Sequence, residues 1–338
     1  MSGLSETSLV FKGFEQLWKA VQILQEEIGY SYVESLGENL QNLLNNQEAQ
    51  QVDGQPSLET INKLDKLYQD LQIKDMSGDD IRRLVQYTFL KAAKEDGLQA
   101  NHQMTPDAVA LLVAFMADHL TKKGQQIFIG DFAVGSGNLL STILLFLKQS
   151  HKNVAGVGID NDEVLLHLAT QAMYLENLEV SLVLQDSLTE LLVKPLDLVV
   201  SDLPIGYYPV KSNAERFQTN SIDDDAYAHH LLIEQHINYL KEGGIAIFVV
   251  PSNLFDSPQA PALLDYLQKE SFIQAMLGLP SNLFQSQNMA KSILIVQKKG
   301  NGAKQVSQVL LGEIPDLKNI KKTTKFTETF EKWSKEMV

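Results

Sequence analysis

The chain has 338 residues, a formal net charge of −14, no cysteine and three arginines, Arg82, Arg83 and Arg216. That length suits one large domain or two ordinary ones, and the missing cysteines exclude a disulfide framework and thiolate metal sites. The acidic balance and the shortage of arginine, the preferred bidentate reader of guanine and phosphate, argue against a free-standing sequence-specific DNA binder.

No basic region followed by a long apolar run opens the chain, and the longest apolar stretch, Ala108 to Ala117, is too short to span a bilayer. A cytoplasmic protein without membrane partners is expected. The first hundred residues read as helices. Phe14, Leu17, Trp18, Val21, Leu24 and Ile28 share one helical face, and Val33, Leu36, Leu40, Leu43 and Leu44 form a second stripe. The polar stretch Asn45–Ser57, with Gly54 and Pro56, reads as a loop. Leu58, Ile61, Leu64, Leu67 and Leu71 follow, and Ser77 with Asp80 predicts a helix start ahead of Ile81, Leu84, Val85 and Phe89. These stripes predict a helical packing domain over residues 1–98.

From residue 99 onward, short apolar runs alternate with helical stretches. The strand-like runs are Gln126–Phe132, Val154–Asp160, Val180–Asp186, Leu196–Asp202, Ile245–Pro251, Ile273–Leu279 and Ser292–Gln297. Strands separated by crossover helices predict an α/β fold, a Rossmann-like, doubly wound and mainly parallel seven-stranded sheet behind the helical domain.

Four of these runs carry an acid at or near their ends: Asp131, Asp160, Asp186 and Asp202. Ligands of open α/β sheets bind at the carboxyl ends of the strands, so four acids there point to one site more than to four unrelated helix caps. The first run leads into DFAVGSGNLL, where Gly135 and Gly137 permit a tight turn and a helix starting near Asn138 aims its amides at a ligand. Leu139 and Leu140 stand where a pyrophosphate-binding turn wants a third glycine, which disfavours a nicotinamide oxidoreductase. Asp160, 29 residues after Asp131, suits ribose hydroxyls, and Asp186 suits an adenine amino group. The sum is an adenosine-containing ligand.

In this order and spacing, DFAVGSG, GVGID, LQDSL and SDLPIGYYP resemble the cofactor and catalytic motifs of the adenine-specific (N6-adenine) DNA methyltransferases, members of the class I S-adenosylmethionine (SAM)-dependent methyltransferases. HQMTP, which opens a helix at Thr105 and Pro106, resembles the element preceding the glycine turn in the gamma arrangement. LKEGGIAIFVVPSNLF and LGLPSNLFQSQNMAKSILIVQKK resemble the last strands of the type I restriction modification subunit. The resemblance covers about residues 100 to 300 and is nearest the YtxK-like bacterial branch. It implies a methyltransferase domain over 99–338 with a short C-terminal tail, and SAM as cofactor. Thr105, Asp131, Ala133, Gly135, Gly137 and Asn138 would hold the methionine side, Asp160 and Asn161 the ribose, and Asp186 and Ser187 the adenine.

The resemblance further implies that Asp202, Leu203 and Pro204 form the catalytic motif, with Asp202 and the next carbonyl accepting the acceptor's amino hydrogens. Ile205 stands where an aromatic would stack on a base, and Tyr207 or Tyr208 would supply a ring, unless both are loop packing. Gamma-type DNA methyltransferases carry a target-recognition region after these motifs or borrow one from a partner subunit; here fewer than forty residues follow Gly300. Nucleic acid is therefore expected to bind weakly to this chain alone, through a partner or a local basic patch, of which Lys318, Lys321, Lys322 and Lys325 are the candidate, although a solvated amphipathic tail is expected there. The seven histidines show no metal spacing, and His229 with His230 is expected to form a solvated helix start after the acidic run Asp223–Asp225. The leading function is SAM-dependent methylation of an amino or amide nitrogen, in adenine of DNA or RNA or in a protein glutamine. The alternative is a SAM-binding sensor without transferase activity.

Overall fold

A computed structural model describes residues 8–99, 102, 104–122, 124–221, 225–284 and 289–337. Four amphipathic helices come first: α1 (Leu9–Ile28), α2 (Tyr32–Leu44), α3 (Leu58–Leu71) and α4 (Gly78–Glu95). Each starts where a serine can cap it. Ser8, Ser31, Ser57 and Ser77 accept first-turn amides, and Glu34 and Asp80 complete capping boxes on α2 and α4. Asp96, just past α4, accepts the Tyr32 and Val33 amides at 2.9 Å each and so ties the end of α4 to the start of α2. The apolar stripes face inward as the periodicity predicts, except Leu58 at the start of α3, which is 69% exposed. Leu17, Leu36, Leu40, Leu64, Leu84 and Phe89 are fully buried, and Tyr68 fills the middle of this core.

There follow α5 (Asp107–Leu120), β1 (Gln126–Asp131), α6 (Asn138–Gln149), β2 (Asn153–Asp160), α7 (Glu163–Leu175), β3 (Val180–Leu184) and β4 (Leu196–Asp202). After these come the single turn α8 (Lys211–Ala214), α9 (Ala228–Tyr239), β5 (Leu240–Pro251), α10 (Ala260–Glu270), β6 (Ser271–Gly278), β7 (Lys291–Lys298), β8 (Leu310–Glu313) and α11 (Ile320–Ser334). The sheet order is β3-β2-β1-β4-β5-β7-β6-β8. All pairings are parallel except the two made by β7, which runs antiparallel between β5 and β6. One face packs on α5, α6 and α11, the other on α9 and α10.

The sheet thus has eight strands where the apolar runs predict seven. β8 spans four residues at the edge, with Leu311 70% exposed, so no buried run announces it. The helical region also shares its core with the sheet domain. Leu165, Leu168 and Ala172 of α7 pack into the same cluster as α1, α2 and α4. Among the described residues no helix is long and apolar enough to cross a membrane.

His229 and His230 correct an expectation. They are 5% and 0% exposed, not solvated, because the start of α9 is packed under Tyr227 in a group of rings. Desolvation pushes them down to about 3 and about 4, so both are neutral. Of the acidic run before them, Asp223 and Asp224 lie outside the described residues, as do Gln103 of the HQMTP segment and residues 285–288. Trp18 and Trp333 are packing residues: Trp18 stacks on Tyr32, and Trp333 contacts Phe330. The lysines 318, 321, 322 and 325 are solvated, as a tail helix anchored by buried Phe330 and Trp333 requires.

Candidate active site

The strand order reverses between β1 and β4, and ligands of open α/β sheets sit at the carboxyl ends of strands flanking such a switch point. A cleft of about 70 Å³ lies there, lined by Thr105, Asp131, Ala133, Gly135, Asn138, Asp202, Leu203 and Pro204, with His102, Leu165 and Lys291 among its other walls. Three segments far apart in sequence therefore meet: the HQMTP element, the glycine turn and the DLPIG motif.

The turn after β1 is held from several sides. Asp131 is 1% exposed and accepts from Ser201 Oγ at 2.8 Å and from the Ala133 amide at 3.0 Å. Burial pushes its carboxyl up to about 7. His236 of α9 accepts the Phe132 amide on Nε2 at 2.9 Å while Nδ1 donates to the Leu232 carbonyl at 2.7 Å, and its ring stacks on Phe132. Desolvation keeps that imidazole neutral, near 4, which the acceptor role of Nε2 requires. Asp160 at the end of β2 accepts the Gly135 amide at 2.7 Å and the Asp162 amide at 3.0 Å.

Gly137 is the N-cap of α6, with φ of +81°, and offers no side chain to cap the first turn. Asn138 and Leu139 of that first turn line the cleft, and a helix N-terminus without a side-chain cap favours an anionic group. A Cβ at Gly137 would stand 2.7 Å from Met173 Cε and 3.0 Å from Ala169 Cβ, whereas one at Gly135 meets nothing within 4 Å. Gly137→Ala is therefore expected to cost about 2–5 kcal/mol in denaturant titration, from left-handed strain plus overpacking against α7. Gly135→Ala should cost no more than about 1–2 kcal/mol. Equal losses at the two positions would show that α7 does not set the packing of the turn.

At the β4 end, Asp202 Oδ2 accepts from Thr105 Oγ1 at 3.0 Å, and Oδ1 pairs with Lys291 Nζ at 2.5 Å. Lys291 was not foreseen. It opens β7, and because β7 is antiparallel, that first residue pairs with Pro251 at the carboxyl edge of β5. Only the strand direction, which sequence periodicity does not report, brings it to Asp202.

Gly137 and Asp160 back the turn without lining the cleft, and other predicted residues stand further from it. Asn161 is exposed beyond Asp160, and Ser187 is buried with its carbonyl on Gln235 of α9 at 2.6 Å. Asp186 accepts from the Tyr208 hydroxyl, from Asn213 Nδ2 at 3.3 Å and from the Leu188 amide at 3.0 Å, which fastens the loop after β4 across the end of β3. Burial and that donation push the Tyr208 phenol up to about 12. Tyr208 is thereby committed to Asp186. Tyr207 is 59% exposed, with its ring 4.9 Å from Tyr227 and nearly parallel to it.

The model of the N-6 DNA methylase family matches residues 76–336. The chain belongs to the N-6 DNA methylase family. Its helical region, residues 12–93, matches the YtxK N-terminal helical domain. The uncharacterized protein YtxK of Bacillus subtilis is 33% identical over 95% of this chain and 96% of its own length. The methylase subunit of the Mycoplasma pneumoniae type I restriction enzyme MpnII is 27% identical over 63% of this chain and 43% of its own. Among solved structures, a Listeria monocytogenes protein assigned to the class I SAM-dependent methyltransferases superposes with a TM-score of 0.89 at 33% identity, over 96% of this chain and 99% of that one. The type I methyltransferase subunit of Streptococcus thermophilus shares the fold, with a TM-score of 0.65 at 18% identity, over 94% of this chain and 73% of that one. This N-6 DNA methylase fold implies SAM as methyl donor. The site fits it: uncapped α6 amides for a carboxylate, Asp160 for hydroxyls, and no lysine or arginine on the glycine turn to ask for phosphates.

Proposed function

We propose that the protein is a SAM-dependent N-methyltransferase acting on an amino or amide nitrogen of the adenine type. The observation that carries this reading is that Asp202 shares one cleft with the glycine turn after β1. Bound SAM supplies an electrophilic methyl group. Thr105, Asp131, Ala133, Gly135, Gly137 and Asn138 would hold its methionine side, and where the nucleoside leaves the cleft along the carboxyl edge of the sheet, Asp160 and Asn161 would hold its ribose and Asp186 with Ser187 the adenine end. Asp202 and the Leu203 carbonyl accept the acceptor's amino hydrogens, which turns the nitrogen lone pair toward the methyl, and Pro204 keeps Leu203 extended. Tyr207, with Tyr227 behind it, is the stacking platform for a flat acceptor in place of Ile205.

A second reading is favoured by one feature. Both oxygens of Asp202 already have partners, Thr105 and Lys291, so an acceptor amino group has to share or displace them. A SAM-binding protein without transferase activity would keep such a pair closed.

The same proposal divides the chain near residue 98 into a helical domain and a methyltransferase domain, and places the protein in the cytoplasm. It assigns nucleic acid as an acceptor reached with the help of a partner. With a net charge of −14, the chain alone is expected to bind a mixed-sequence duplex no tighter than roughly 10⁻⁴–10⁻⁶ M at physiological salt. The test is a duplex titration at several salt concentrations, followed by transfer from labelled SAM. Label in adenine or amide supports the enzyme. Bound SAM with no label entering DNA, RNA or protein even in a lysate of the source cells, where any partner is present, supports the sensor, and tight duplex binding at physiological salt would overturn the partner requirement.

A further inference from the structure

The helical region reaches the cleft through one buried cation. Arg82 lies on α4 and is 3% exposed. Its Nε donates to Asp79 Oδ1 at 3.1 Å, and Nη1 donates to Asp107 Oδ1 at 2.6 Å. Two carboxylates thus compensate the burial of the guanidinium, and they hold its pKa above the ordinary arginine value against the opposing desolvation. A third contact is not needed for charge balance. Nη1 also donates to Asn138 Oδ1 at 3.3 Å.

Asn138 is the first residue of α6, directly after the glycine turn. A guanidinium only donates, so the amide oxygen must face it, and the amide NH2 must point the other way. There it donates to the Thr105 carbonyl at 2.9 Å. Thr105 Oγ1 in turn donates to Asp202. Arg82 therefore fixes the orientation of one side chain on the cleft wall, and through it the backbone of a second residue on that wall. The other Asn138 rotamer would set its NH2 against the Arg82 donors and leave the Thr105 carbonyl without this partner.

We propose that Arg82 is a positioning residue for the methionine half of the cofactor site, contributed by the helical region to the sheet domain. The proposal rests on the reading of the cleft as a SAM site. The prediction is selective, because on that reading Asn138 and Thr105 would hold the amino-acid end of the cofactor and not its nucleoside.

The experiment is calorimetry on the full chain with two ligands. S-adenosylhomocysteine carries both halves, whereas 5′-methylthioadenosine carries the nucleoside without the amino acid. Arg82→Lys keeps a cation for Asp79 and Asp107 but lacks the rigid fork that also reaches Asn138. It is expected to weaken S-adenosylhomocysteine about tenfold and to leave 5′-methylthioadenosine unchanged. Asp107→Asn loosens the hold on the same Nη1 at a residue outside the cleft lining, with a side chain 38% exposed, and should give a smaller split of the same sign, which keeps the test open if the arginine variant does not fold. An equal loss for both ligands would mean that Arg82 merely supports the fold. No loss for either would mean that the relay does not reach the ligand; both results overturn the proposal while the cofactor reading survives. A wild-type chain that binds neither ligand would overturn the cofactor reading and this proposal together.

Discussion

Asp202→Ala is expected to lower methyl transfer by at least about 10²-fold while leaving SAM binding nearly intact. Asp202 ends β4 and lines the cleft, and the proposed function makes it the side-chain acceptor for the substrate amino group. On that proposal its removal takes away the group that orients the acceptor's lone pair, an interaction that counts most in the transition state. The substitution also frees Lys291, whose side chain is 24% exposed, so the ammonium can turn to water and the fold should survive. Asp202→Asn separates the two roles. It keeps an acceptor oxygen for the substrate amino group but breaks the ion pair with Lys291. An active Asn variant beside an inactive Ala variant would assign the effect to hydrogen-bond acceptance. The measurement is transfer of labelled methyl to the acceptor found in the substrate screen, beside calorimetry with SAM. Unchanged transfer in Asp202→Ala would remove this residue from the mechanism.

What the sequence made legible follows a physical divide. Most of the helix stripes, the Ser77 cap and the acids ending β1, β2 and β4 are local signals, and they appear where the spacing puts them, whereas Leu58 is exposed and Asp186 lies two residues past β3. The contacts within the cleft are of another kind. Lys291 reaches Asp202 only because β7 runs antiparallel beside β5. His236 supports the Phe132 amide across 104 residues, and its solitary position in the sequence gave no hint beyond the absence of metal spacing. Arg82 looks like a surface residue on a predicted packing helix until α4 is docked on α6. The tyrosine pair after Gly206 could not be sorted by pattern at all. The structure separates them by burial, with Tyr208 turned inward onto Asp186 and Tyr207 left outside against Tyr227. β8 escaped because an exposed edge strand has no apolar pattern to show.

Asp160→Ala should have the largest effect on cofactor binding. At the end of β2, this carboxylate does two jobs. One oxygen accepts the Gly135 amide at 2.7 Å and so closes the glycine turn against the neighbouring strand; the other accepts the Asp162 amide at 3.0 Å. Each oxygen keeps a second lone pair, and these are the acceptors available to ribose hydroxyls. Burial raises the Asp160 pKa, with the backbone donors of Asp162 and Gly135 opposing that rise. Alanine removes the ribose acceptors and leaves two backbone donors without their partner. Loss of a charge-assisted hydrogen bond costs about 1.5–3 kcal/mol, or roughly a 10- to 150-fold weaker SAM affinity. Asp160→Asn is the informative companion. Its amide oxygen can still accept from Gly135 or from a hydroxyl but not serve all three donors, so its loss should fall between those of wild type and alanine. Calorimetry with SAM and with S-adenosylhomocysteine should show the same ranking, because the two ligands share the ribose. If Asp160→Ala bound both as tightly as wild type, the acid after β2 would be a turn-forming residue only, and the adenosine half of the site would have to be sought elsewhere along the carboxyl edge of the sheet.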